Sequence, residues 1–288
     1  MDIPAEIIQS SSQVQQEQNV QNILLATKAP DAIDALNSIL HRLHPTNMLN
    51  IVVLSNGVMG VVQDIKQIIK ENNVERRTNI IMASTTNGAH RGNKDDFRSL
   101  SPDSFCVVHA GLGQTFIEEP VRENELVKTL STIWRDVGLN ANIVSQEEIH
   151  VLNWKKLAAN CAINPLTAID GIRNGDLLKT NSSNQQILDN RCLEIIDEVS
   201  KVALVETRGL VIGENLEFDN LLQFVETVVR DTAPNVSSML QDVLAKRYPT
   251  EVQYLNGFVA RLGERHGINV CSNRKIAEDV EKLTRSFM

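Results

Sequence analysis

Residues 22–27 (NILLAT) form a short, almost unbroken apolar run bounded by polar residues, the signature of a strand buried on both faces of a parallel sheet. Pro30 then opens a stretch to about residue 43 in which Ile33, Leu36, Ile39 and Leu40 recur at helical spacing. Residues 51–54 (IVVL) predict a second buried strand, which ends in Ser55, Asn56 and Gly57 and leads into an apolar-periodic helix over 58–69. A third strand is expected over 79–83 (NIIMA). Strand, helix, strand, helix, strand at this spacing predicts βαβ units and a doubly wound α/β sheet. Residues 105–110 and 113–117 read as a hairpin-like pair of later strands, and 143–145 as a last short one.

Beyond about residue 146 the strand signals stop. Residues 146–163, 185–205, 220–232, 251–266 and 273–288 are long and helix-periodic, which predicts an all-helical second domain. Residues 1–21, rich in Gln and Ser, read as a flexible lead with no core to build. The expected organisation is therefore that lead, a partial Rossmann-like domain over 22–145 and a helical domain over 146–288, with no internal repeat.

Composition narrows the ligand. The 288 residues are 42% hydrophobic and 22% charged, enough for one large core or two smaller ones. With 28 Lys and Arg against 36 Asp and Glu the formal charge is −8, so no basic field gathers nucleic acid or coats an anionic membrane. A small molecule is the better partner. Cys106, Cys161, Cys192 and Cys271 stand far apart without metal spacing, and are expected to be buried free thiols. No apolar run approaches the roughly 20 residues of a membrane helix, and the polar start does not resemble a signal peptide, so a cytoplasmic location is expected.

The densest chemistry lies in residues 153–165 (NWKKLAANCAINP). After Lys156 almost every position is small or apolar except Asn160 and Asn164, four and eight residues on. On a helix these share one stripe, with neighbours about 5–6 Å apart. A lysine and two carboxamides on an otherwise apolar helix make a polar floor for a small oxyanionic ligand. Reduction of a keto group needs hydride on one side and a proton for the developing alkoxide on the other, and a lysine ammonium supplies that proton. The alternative is that Lys156 extends to solvent while the two asparagines satisfy backbone where Pro165 breaks the helix. Local spacing leaves both open.

A longer comparison distinguishes them. The stretch KLAANCAINPLTAI (156–169) followed by Asn174 and Gly175, and SSMLQD (237–242) followed by Thr250, Glu251 and YLNG (254–257), resemble the ketopantoate reductase (2-dehydropantoate 2-reductase) family. Weaker matches at Ala26, Thr27, Lys28, at Ser55, Asn56, Gly57 and at Thr85, Thr86 extend the similarity over about 22–275. The resemblance implies NADPH-dependent reduction of 2-dehydropantoate to pantoate, a step of pantothenate biosynthesis. By position it implies Lys156 as the catalytic acid and Glu251 as an essential carboxylate. Asn160, Asn164, Asn174 and Ser238 then bind substrate, while Lys28 and Asn56 stand at the nucleotide cleft. The last two lie at the carboxyl ends of strands, where open α/β sheets bind ligands.

The sequence departs from that pattern in one respect. Its first glycine is Gly57, so the three-glycine turn that lets a backbone approach a pyrophosphate is absent, and with it the first strand. Three explanations fit: a truncated or late-starting form of a full reductase, a paralogue that has lost cofactor binding, or a sheet completed by another chain. The second makes the chain a non-catalytic protein that binds a small ligand or a partner. An open strand edge would favour self-association into a homo-oligomer. The 242–251 interval is also one residue longer than the family pattern, which affects the aim of Glu251. His90 and His109 are expected in or near loops after strands as surface or packing histidines, Lys155 as solvated, and Glu251, judged alone, as a helix N-terminal acid.

Overall fold

A computed structural model describes residues 20–43, 46–91, 107–182, 184–210 and 213–287. The flexible lead expected over 1–21 falls outside these residues as far as residue 19, and so does Cys106. The chain divides into two compact units, one from Met1–Ser55 and Val61–Val144, the other from Asn56–Gly60 and Ser145–Met288.

The first unit is α/β. Its strands β1 (Asn22–Leu25), β2 (Leu49–Val53) and β3 (Thr78–Thr85) are parallel and joined by α1 (Ala29–Ile39) and α2 (Val58–Glu71). The excursion β4 (Gly88–Arg91) and β5 (Val107–Gly111) follows, then β6 (Thr115–Glu118), α3 (Glu125–Asp136) and β7 (Ala141–Val144). The sheet order is β1-β2-β3-β6-β7, with β6 antiparallel to β3 and parallel to β7. Val52, Ile81, Ala83, Ile117, Val127, Trp134 and Ala141 form one buried cluster. Register is reinforced by a row of carboxamides, in which Asn79 Nδ2 donates to Asn50 Oδ1 and Asn50 Nδ2 to Asn22 Oδ1, at 2.9 and 2.8 Å. A one-residue slip would break that row and turn each apolar set to the wrong face.

Two expectations are corrected. Strand β1 is covered on one face only: Ile23 and Leu25 are buried, Asn22 and Leu24 exposed. An all-apolar run carries no alternation that would have told one covered face from two. The 105–110 and 113–117 segments are not a hairpin, because β5 pairs with β4 and β6 with β3 and β7. The connection between them crosses tightly against residues 86–87, where Gly113 N–H donates to Asn87 Oδ1 (2.9 Å) and a Cβ on Gly113 would come within 2.4 Å of the Thr86 carbonyl carbon. Residues 90 and 109 lie within the paired β4 and β5.

The second unit is built around α4 (Gln146–Asp170). A small antiparallel pair, β8 (Leu178–Thr180) and β9 (Gln186–Leu188), precedes α5 (Asn190–Glu206), α6 (Phe218–Asp231), α7 (Ser238–Leu244), α8 (Asn256–Arg265) and α9 (Cys271–Arg285). The unit is thus helical apart from one short hairpin, which three-residue strands are too brief to announce by periodicity. Residues 157–159, 161–163, 166 and 168 of α4 are buried among α5, α6, α7 and α9. A helix apolar nearly all round is the central member of a helical core. Cys161 and Cys192 are buried there, whereas Cys271 is exposed, against expectation, at the first position of α9. No helix among the described residues is long and apolar enough to cross a membrane.

Candidate functional site

Helix α4 has well-defined ends. Ser145 caps it in a reciprocal box, accepting from Glu148 N–H (3.2 Å) while Glu148 Oε2 accepts from Ser145 N–H (2.9 Å). Gly171, at φ +66°, closes it. Pro165 lies inside the helix and does not end it, which removes the alternative in which it breaks the helix. Burial on all sides outweighs the proline's local cost of about 3 kcal/mol or more. Lys156, Asn160 and Asn164 therefore belong to one continuous helix. Their stripe is longer than sequence spacing suggested, because buried Asn153 precedes it by three residues and buried Thr167 follows by three. The i+3 step at either end was the available signal.

Lys156 is half-buried, and burial pulls its pKa from 10.5 down to about 8, against the partial opposition of the Glu251 charge. Glu251 is buried at the start of a short 3-10 turn, Glu251–Tyr254, and accepts from Asn56 Nδ2 at 3.3 Å. Asn56, Lys156 and Glu251, 95 or more residues apart in sequence, thus meet in the second unit. Asn160 is half-buried and Asn164 buried on the helix that carries Lys156. Thr167 Oγ1 lies 2.7 Å from Ser237 Oγ, which accepts from Leu240 N–H as the N-cap of α7. That contact anchors the start of α7 to the stripe, although Ser238 itself is exposed at its first position.

Asn174 is buried in a 3-10 turn after α4. Its Nδ2 donates to Thr232 Oγ1 (3.0 Å), while its Oδ1 is buried without a partner among the described residues. A buried acceptor left unsatisfied costs about 1–3 kcal/mol, a cost that a ligand hydroxyl would remove. In the first unit, half-buried Lys28 follows β1 immediately before α1, beside Thr27, whose Oγ1 is likewise buried without a partner. Among the described residues no group of His, Cys, Asp and Glu could hold a metal ion.

Gly57 matters for the neighbouring Asn56. Its φ is +64°, and a Cβ there would come within 2.6 Å of the Tyr254 carbonyl oxygen. Gly57→Ala is expected to cost about 1–3 kcal/mol from left-handed strain alone, read as a melting temperature lowered by several degrees; an unchanged transition would refute that close approach.

Two family models match the chain: Ketopantoate reductase PanE/ApbA over residues 2–120 and Ketopantoate reductase PanE/ApbA C terminal over residues 148–283. The 2-dehydropantoate 2-reductase of Shigella flexneri is 32% identical over 242 residues, which cover 82% of this chain and 66% of that protein. The enzyme of the same name from Archaeoglobus fulgidus is 33% identical over 171 residues, covering 59% of this chain and 52% of its own. Among solved structures, 2-dehydropantoate 2-reductase from Methylococcus capsulatus shares the fold with a TM-score of 0.68 at 20% identity, over 97% of this chain and 79% of that one. D-mandelate dehydrogenase in a ternary complex with NADH and anilino(oxo)acetate shares it with a TM-score of 0.71 at 23% identity, over 96% and 79%. The chain thus spans just under two thirds of the length of the Shigella flexneri relative.

Proposed function

The chain belongs to the ketopantoate reductase family, and on that premise we propose that its site reduces the keto group of 2-dehydropantoate to give pantoate, with Lys156 as proton donor and NADPH as hydride source. The observation that carries the proposal is Lys156 itself: a partly desolvated ammonium of pKa about 8, facing the Glu251 carboxylate from a stripe that also bears Asn160 and Asn164. A catalytic acid works best with its pKa near the operating pH. An ordinary lysine is too weak an acid for that role, whereas Lys156 remains mostly protonated at neutral pH and gives its proton up more readily.

The residues divide the work chemically. Lys156 Nζ donates its proton to the keto oxygen as negative charge develops there, and is reprotonated from solvent. Asn160 and Asn164, with two donors and an acceptor each, hold the substrate carboxylate and keto oxygen. The unpartnered Asn174 Oδ1 accepts from the substrate hydroxyl, and Ser238 lies at the rim. Glu251 holds the ammonium charged before transfer, oriented by Asn56. The cofactor, when bound, supplies the hydride. Lys28 and the unpartnered Thr27 Oγ1 fit its polar groups at the carboxyl end of β1, the ligand end of an open α/β sheet, and the positive Lys28 suits a phosphate.

The test is direct. The purified chain is titrated with NADPH and with NADH while nucleotide fluorescence is followed, and is then assayed with 2-dehydropantoate. Saturable binding with turnover, tighter for NADPH, is expected. Absence of both binding and turnover would overturn the proposal. Preference for NADH, or for an aryl 2-keto acid over 2-dehydropantoate, would overturn its cofactor or substrate half.

A further inference from the structure

We propose that Asn256 is a positioning residue of this site: it supplies the hydrogen-bond donor that Pro165 removes from α4, and so holds the turn that carries Asn160 and Asn164 in line with Lys156. Its kinetic consequence rests on the reductase reading, but the bond itself does not.

In an α-helix the N–H of each residue bonds to the carbonyl four positions earlier. Proline has no N–H, so Pro165 leaves the carbonyl of Cys161 without its helical partner. Cys161 is fully buried, out of reach of solvent, and its carbonyl lies on the turn between Asn160 and Asn164. Asn256, the first residue of α8 and also fully buried, donates Nδ2 to that carbonyl at 3.0 Å. A foreign side chain from another helix thus completes α4 at the one position where its own backbone fails.

The orientation of the Asn256 amide is dictated from behind. Its Nδ2 also donates to Asn273 Oδ1 at 3.0 Å. Asn273 must present that oxygen, because its own Nδ2 is committed to Glu198 Oε2 (2.9 Å) and the Ile195 carbonyl (3.3 Å). Glu198, a carboxylate that can only accept, takes in addition the N–H groups of Ser272 and Asn273, each at 2.8 Å, in the first turn of α9. Polarity therefore runs one way, from Glu198 through Asn273 to Asn256 and out to Cys161. Asn256 Oδ1 remains buried without a partner, so it is the amide's donors that serve the fold. The chain fastens α5, α8 and α9 to one carbonyl of the helix that bears the proposed acid.

The test is a double-mutant cycle between Asn256→Leu and Pro165→Ala. Alanine at 165 restores an N–H for the Cys161 carbonyl, so Asn256→Leu should do far less harm in that background than alone. Hydrogen exchange of the backbone amides over 157–168 reads the bond without any turnover. Asn256→Leu is expected to accelerate exchange there by tenfold or more, as loss of one buried hydrogen bond implies, and Pro165→Ala to reverse most of it. Equal acceleration in both backgrounds would overturn the proposal. If Asn256→Leu does not fold alone, the coupling appears as rescue by Pro165→Ala, and failure of rescue overturns it equally. Where the chain turns over, Asn256→Leu is expected to raise KM for 2-dehydropantoate about tenfold with kcat changed much less. Exchange coupling with an unmoved KM would reduce Asn256 to a structural residue. A chain without turnover in any form would defeat the reductase reading and leave the exchange result standing.

Discussion

Lys156→Ala is expected to lower kcat for 2-dehydropantoate by about two to four orders of magnitude, the range that a positioned general acid contributes. The ammonium supplies both the proton and the charge that stabilises the developing alkoxide, and Asn160 and Asn164 replace neither. KM should change far less, because those carboxamides, not Lys156, are assigned the substrate. Lys156→Arg separates the two contributions: a guanidinium retains the positive charge but holds its proton too tightly to pass it on, so it should leave KM close to that of the wild type without recovering turnover. The fold should survive the change and its pH dependence should reveal the lysine. In the wild type Lys156 has its pKa lowered from 10.5 to about 8 by burial. Between those values the unfolded chain binds a proton that the folded chain does not, so stability rises with pH across that window. Lys156→Ala removes this contribution, and its melting temperature measured from pH 8 to pH 10 should be flatter than that of the wild type. A stable variant with undiminished kcat would remove Lys156 from the chemistry.

Much of this arrangement can be read from sequence, and the misses have identifiable causes. The stripe from Lys156 to Asn164 was visible because helical spacing carries it within one element. Its extension to Asn153 and Thr167 was visible in principle as well, at i+3. The strands β2 and β3 follow from their apolar runs, since hydrophobic burial is what those runs express. The partners of β5 and β6 did not follow, because pairing depends on the tight crossing at Gly113, a backbone approach with no periodic signature. The meeting of Asn56 with Glu251 joins residues 195 positions apart, and composition contains nothing that selects one carboxylate out of 36. Pro165 shows the limit most plainly. The sequence declares that a buried carbonyl needs a donor from elsewhere, yet only the packing of α8 against α4 identifies that donor as Asn256.

Glu251→Gln should have the second largest effect, and one with a distinctive pH signature. The wild-type carboxylate raises the Lys156 pKa against the stronger lowering by burial. Glutamine is nearly isosteric and preserves an oxygen that can accept from Asn56 Nδ2, so the geometry at 3.3 Å is retained while the charge is lost. With only burial acting on it, the ammonium loses its proton at lower pH. The alkaline limb of the kcat/KM profile, which in the wild type should fall above about pH 8 as the acid deprotonates, should therefore move toward neutrality. At pH 8, where the wild-type ammonium is about half protonated, the variant should be less active than the wild type, by up to a factor of ten for each unit that the pKa of its acid moves down. At pH 6, where the ammonium persists in both proteins, the deficit should shrink markedly. A uniform loss at every pH would mean that Glu251 acts on the substrate directly; an alkaline limb that stays in place would show that the carboxylate does not control the acid.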